Sequence, residues 1–207
     1  MPVEGLERLR ITYTETGESG CEIAERDGRL TLRGREVSGT IGICFESSDE
    51  YELVLVEYPA GQAPEVLEIA AVSGEIEVHG AELRTARLES TSGEIELEDV
   101  TAEEVFVRTV SGELSGELRT GTLRFESTFG GVELELDAQR AEFRTVSGDV
   151  LLELPGSAAD YGVDMDSVSG TLYCGDGKRG GRIITGRSAP RQIVFDTTSG
   201  DLTLCFD

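Results

Sequence analysis

A serine-glycine pair recurs along this chain at nearly constant spacing, so any fold the chain adopts must turn a corner at each copy. The corner position falls at Ser73, Ser92, Ser111, Phe129, Ser147, Ser169 and Ser199, with spacings of 19, 19, 18, 18, 22 and 30 residues. A glycine follows every time: Gly74, Gly93, Gly112, Gly130, Gly148, Gly170 and Gly200. A period near twenty residues is the mark of stacked supersecondary units, none of which can bury its apolar edge alone.

Three apolar columns appear when the copies are aligned on the corner. Three residues after it stand Ile76, Ile95, Leu114, Val132, Val150, Leu172 and Leu202. Four before it stand Ile69, Leu88, Val107, Phe125, Phe143, Met165 and Phe195, and six before it Leu67, Ala86, Val105, Leu123, Ala141, Val163 and Ile193. The spacing of two within an arm is strand periodicity, and no helical pattern competes with it. The position two before the corner holds Ala71 and then hydroxyls: Ser90, Thr109, Ser127, Thr145, Ser167 and Thr197. From there to the apolar residue beyond the corner is an odd step, which a flat strand would turn outward. Both arms face one core only if the backbone bends, and glycine tolerates such a bend.

The pattern predicts an all-β, single-stranded β-solenoid of about seven coils of 18–30 residues, with successive coils paired in parallel. Residues 61–207 form the regular repeats, and residues 1–60 an irregular N-terminal β cap within the same structural domain. Strands are expected at Leu9–Thr14, Arg29–Leu32 and Tyr51–Glu57, and Ser38-Gly39-Thr40-Ile41 echoes the corner. Tyr58-Pro59-Ala60-Gly61 is expected to turn into the repeats. Three residues before the corner, Glu89, Arg108, Glu126, Arg144 and Asp166 alternate in sign, a ladder that fixes register.

Charge narrows the partners. Asp and Glu number 41 against 18 Lys and Arg, a formal −23. Such a surface repels phosphate backbones and anionic lipid, which argues against nucleic acid as a partner. No apolar run reaches the length of a membrane helix, so no direct membrane insertion is expected. The opening Met-Pro-Val-Glu-Gly-Leu-Glu-Arg-Leu-Arg lacks a signal-peptide core; the chain is cytoplasmic, or lies in the cell envelope if an anchor lies outside it. Cys21, Cys44, Cys174 and Cys205 form no CxxC pair and His79 is the sole histidine, so a zinc centre lacks ligands and buried thiols are expected.

The phrase T/V-S-G-[ED]-[IVL], seen at Thr91–Ile95, Val110–Leu114, Val146–Val150 and Thr198–Leu202, resembles the bacterial putative-adhesin β-strand-repeat family, a domain of unknown function grouped with the toastrack-type envelope-stress modules. Leu53–Pro59 resembles that family's entry strand. The resemblance implies a β-helix-like stack, often tethered to a membrane, with no established enzymatic activity and no agreed binding residues. Phe129 and the long sixth repeat depart from its pattern.

Candidate chemistry is sparse. Gly175-Asp176-Gly177-Lys178-Arg179-Gly180 matches GxGxxG, but a dinucleotide site needs a helix after it, and Arg182–Pro190 is no helix. The segment reads instead as a loop bulging from the solenoid. Lys178, Arg179, Arg182, Arg187 and Arg191 make it a basic stretch on an acidic chain, either an interaction loop or a flap lying on the acidic flank. Glu75, Glu94 and Glu113, two residues after their corners, are candidate cation ligands or a solvated acidic face. Any Ser-His or Cys-His scheme must use His79, in an expected loop Val78-His79-Gly80 with no evident partner. No catalytic residue and no cofactor is expected. The function expected is a non-catalytic, adhesin-like or envelope-stress-associated module binding a protein or cell-wall partner. The alternative is a carbohydrate-active β-helix using surface carboxylates.

Overall fold

A computed structural model describes the backbone of residues 2–3, 10–13, 21–26, 29–34, 43–44 and 53–59, and residues 64–206 apart from 72, 73 and 176, with the Lys178 side chain excepted. In the N-terminal part the strands are β1 (Pro2–Val3), β2 (Arg10–Tyr13), β3 (Cys21–Arg26), β4 (Arg29–Gly34), β5 (Ile43–Cys44) and β6 (Leu53–Pro59). β6 pairs parallel with β1 and antiparallel with β2 and β5, while β3 and β4 form a hairpin. The expected strands fall on β2, β4 and β6. The expected turn does not begin at Tyr58: Tyr58 and Pro59 are the last residues of β6, paired with Pro2 and Val3. A proline at a strand's end costs the ladder little. The echo at Ser38–Ile41 lies outside the described residues.

The regular stack follows as β7 (Val66–Ala71), β8 (Ile76–His79), β9 (Glu82–Ser90), β10 (Ile95–Arg108), β11 (Leu114–Glu126), β12 (Val132–Ser147) and β13 (Val150–Leu154). The long strands carry the second arm of one coil into the first arm of the next. Pairing is parallel, and the corners lie in register, Ser92 opposite Ser111 and Phe129 opposite Ser147. Every side chain of the three expected columns is buried, none more than 7% exposed. The bend at the corner does turn both arms inward, since Ser90 and Ile95, like Thr109 and Leu114, are buried on either side of one corner.

The core holds more columns than the three expected. Val78, Leu97, Leu134, Leu152 and Leu204 are buried five residues after their corners. Beyond them Val100, Leu118, Leu136 and Leu154 form another column, which slips by one position between the 19- and 18-residue coils. The slip has a local cause. Between the pairs Leu97–Gly116 and Val100–Leu118, two residues, Glu98 and Asp99, face the single Glu117. This is a β-bulge. Asp99 takes a left-handed φ of 51°, and Gly80, one coil earlier, takes 57°. The 18-residue coils lack the extra residue.

The glycine after each corner has a different reason from the bend alone. Of the corner glycines only Gly74 and Gly93 have left-handed φ. At Gly93, Gly112, Gly130, Gly148, Gly200 and Gly170 a Cβ would stand 1.9–2.2 Å from the carbonyl oxygen of the glycine beneath it. The column is glycine because stacked backbones meet there.

The last coils break the expected order. β14 (Tyr161–Ser169), β15 (Thr171–Cys174), β16 (Gly177–Gly180), β17 (Ile183–Thr185), β18 (Arg191–Ser199) and β19 (Leu202–Phe206) complete the chain. β18 pairs parallel with both β12 and β14, and β19 with both β13 and β15. The coil of Ser199 is therefore inserted between those of Ser147 and Ser169, and stacking is not consecutive. The long fifth and sixth spacings supply the chain for this exchange. Residues 155–160 climb past one coil position, roughly 10 Å over two spacings, and the excursion through β16 and β17 brings the chain back. That excursion is no bulging loop: β16 pairs antiparallel with β15 and β17 antiparallel with β14, covering the end of the stack.

Gly148→Ala places a methyl group against the Gly130 carbonyl and is expected to lower Tm by about 5 °C or more, from overpacking of roughly 2 kcal/mol. Gly131→Ala, whose Cβ meets nothing nearer than 3.4 Å, should leave the melt nearly unchanged. Equal melts for the two variants would refute the column.

Candidate functional site

The arm following each corner presents carboxylates on its outer face. Period-2 alternation places Glu96 and Glu98 of β10, Glu117 of β11, Glu133 and Glu135 of β12 and Glu153 of β13 side by side. With Asp99 of the bulge they line a groove of about 470 Å³, floored in part by Gly116 and Leu134. Gly116 has φ 115°, and a Cβ there would stand 2.0 Å from the Leu97 carbonyl oxygen. Two of the acids are paired: Arg119 lies 3.1 Å from Asp99 and also meets Glu117. Ser115 donates a hydrogen bond to Glu94 at 3.1 Å. The groove is anionic and open, unlike the apolar, enclosing pockets that hold small ligands. Its chemistry suits a positively charged surface. Sequence reading missed it by following one carboxylate column; the signal was the alternation in Glu94-Ile95-Glu96-Leu97-Glu98 and Val132-Glu133-Leu134-Glu135-Leu136.

Of the candidate cation ligands, Glu94 and Glu113 are exposed at the corner edge. Glu75 instead lies with Glu77 and Glu96, their ligand oxygens all within 4.8 Å of one another. Three such oxygens fall short of the six to eight that Ca²⁺ takes.

His79 is not in a loop: it ends β8 and bridges two coils. Nδ1 lies 2.6 Å from Glu98 and Nε2 3.1 Å from Glu77. Burial lowers its pKa, but hydrogen bonds and charge from Glu77 and Glu98 outweigh this and hold it above the ordinary 6.5. The clamp ties two coils together. Cys205 is exposed and Cys174 half-buried, so these two are not the buried thiols expected; both are free.

The basic stretch divides. Arg191 is structural: it reaches Asp137 at 2.8 Å, bonds the Tyr161 hydroxyl and lies over that ring. Burial raises the Tyr161 pKa against the opposing effect of Arg191. Arg182 meets Asp166 at 3.7 Å. Arg179 and Arg187 are exposed, without an ion pair among the described residues, and the Lys178 side chain lies outside them. The GxGxxG segment includes Gly175, at φ 54° after β15, and the whole of β16, Gly177–Gly180, paired antiparallel with β15. The charge ladder follows the true stacking order. Arg144 lies 4.0 Å from Glu126 and 3.6 Å from Asp196, so Asp196, not Asp166, is its neighbour. Burial would raise the Glu142 pKa, but Arg140, Arg124 and Arg144 prevail and lower it.

A family model described as Toastrack DUF4097 matches residues 4–136, more than half of the chain. The exchanged coils lie beyond the match. No curated protein matches significantly. Among solved structures, the crystal structure of a putative adhesin from Bacteroides fragilis NCTC 9343 aligns over 98% of this chain and 99% of its own, at 13% identity and TM-score 0.49. Among the described residues no helix is long and apolar enough to cross a membrane.

The raised His79 pKa means that its contribution to stability is fully present below the ordinary imidazole value and is lost as pH rises through the higher folded value. The difference in melting temperature between wild type and His79→Gln should therefore be largest below the ordinary imidazole value and shrink as pH rises above it, through the raised folded value. A pH-independent difference would show that the clamp does not act through the imidazolium.

Proposed function

The chain belongs to the Toastrack DUF4097 family, and from that premise we propose that it is a non-catalytic interaction module of a bacterial envelope-associated protein. One observation carries this reading: the stack presents straight rows of outward-facing side chains, with carboxylates gathered in an open groove, on a core that a ligand need not complete. Rigid rows at fixed spacing suit an extended partner, a protein or a cell-wall polymer, laid along the sheet. The acidic face would take a positively charged partner, and the exposed Arg179 and Arg187 at the covered end offer a smaller surface of opposite sign.

The test pairs binding with turnover. The protein is incubated with a glycan array and with soluble envelope polysaccharides, and product release is followed. The expected outcome is no cleavage, with any captured partner eluting as ionic strength is raised from about 0.05 to 0.5 M. Cleavage of any polymer would overturn the module reading in favour of a carbohydrate-active one.

A further inference from the structure

Two departures from the repeat fall in one coil, and the fold requires neither. At the fourth corner Phe129 replaces serine, with 59% of its surface exposed. Two residues on, where neighbouring coils carry Glu113 and Asp149, the chain has Gly131. Unlike Gly130, whose Cβ would meet the Gly112 carbonyl at 2.2 Å, Gly131 has ordinary room for a side chain and no left-handed φ. An aromatic side chain is thus set out in solvent beside backbone stripped of its carboxylate.

The neighbouring coils extend the feature. Val110 and Val146, each preceding the corner serine of an adjacent coil, are both 49% exposed. Phe129 bridges to Ser147 in the corner column, and its amide donates to the Val110 carbonyl at 2.8 Å; Val110 and Val146 stand one residue before the corner on the coils either side, with Thr128 at that position in the Phe129 coil. At about 4.8 Å per coil the ridge is roughly 10 Å long. Its two flanks differ. On the first-arm side, Arg144 lies between Glu126 and Asp196 and offsets part of their charge. On the second-arm side, Glu113, Glu133 and Asp149 are exposed acids, and the anionic groove lies beyond them.

That asymmetry selects the occupant. A second copy of a chain of net charge −23 would bring like charges together, and anionic lipid or nucleic acid would be repelled in the same way. We infer that the corner ridge centred on Phe129 is a docking surface for a cationic polypeptide segment carrying an apolar side chain next to lysine or arginine. The apolar group packs on Phe129 over the bare Gly131 backbone, and the basic groups face Glu113 and Asp149. The inference rests on the interaction-module reading and names its partner class. Exposed aromatic anchors are the residues on which binding energy concentrates.

The experiment measures fluorescence anisotropy of a labelled dodecapeptide of alternating lysine and leucine, against oligolysine of equal charge and a glutamate-leucine counterpart. Phe129→Ser and Gly131→Glu each restore the repeat's own residue, and an unchanged melt verifies the fold. Phe129→Ser should weaken binding of the lysine-leucine peptide by about tenfold; Gly131→Glu covers the packing surface but adds a carboxylate, so it should shift preference from the lysine-leucine peptide toward oligolysine. Oligolysine should bind less tightly and be indifferent to Phe129→Ser, and the acidic peptide should not bind. Equal affinity of wild type and both variants, absence of lysine-leucine binding, or equal binding of the acidic peptide overturns the ridge. None of those outcomes touches the module reading, which falls only if a polymer is cleaved.

Discussion

The closest constraint in this molecule is the approach of one glycine carbonyl to the next glycine's Cα along the corner edge. The carbonyl occupies the place a Cβ would need, from Gly74 at one end of the column to Gly170 at the other. Because that contact is backbone on backbone, no rotamer can relieve it, and it fixes where every coil sits on its neighbour. The small residues two before the corner follow from it. A Cβ on Gly112 or Gly130 would also meet Thr109 Oγ1 at 2.8 Å or Ser127 Oγ at 2.6 Å. The space under the corner admits a serine or threonine and little more. Ser90 donates to the Ser92 carbonyl at 3.0 Å, but Thr109, Ser127, Thr145, Ser167 and Thr197 are buried without a partner among the described residues, so steric fit rather than hydrogen bonding accounts for most of the column.

Much of this was legible in residue order. Three columns read at constant offset from the corner are buried throughout, because parallel stacking puts equal offsets at equal positions. The columns past the bulge escaped for the same reason: Gly80 and Asp99 each add one residue, and constant offsets then compare unlike positions. The exchange of the last two coils was not legible at all. Ser169 and Ser199 carry equivalent residues in all three apolar columns, Met165 and Phe195, Val163 and Ile193, Leu172 and Leu202, so either coil fits on β12 and β13. Only the long spacings hinted that the chain steps out and returns. The exchange buries the C-terminal strand β19 between two others and leaves the sixth repeat under the β16–β17 cover.

The site divides along the same line. Repetition explains why carboxylates line up, since a surface position occupied by glutamate in one coil is copied into the next, and it makes single carboxylates uninformative. What discriminates is departure from the repeat. Arg182 and Arg191, conspicuous in sequence, are held by Asp166, Asp137 and Tyr161. Phe129 with Gly131, a smaller irregularity, has no structural use in the stack. A residue that a repeat does not need is the more informative one.

Amide hydrogen exchange at the corners tests most directly whether the stack is locked there. The Phe129, Gly130, Ser147 and Gly148 amides all donate from one coil to the next, at 2.8–3.2 Å. If backbone contact at the glycine column holds the coils, these four amides should exchange as slowly as those of Leu123 and Phe125 in the middle of β11, opening only with global unfolding. Exchange at the rate of exposed turns, with β11 still protected, would mean that the arms hold the corners and not the reverse.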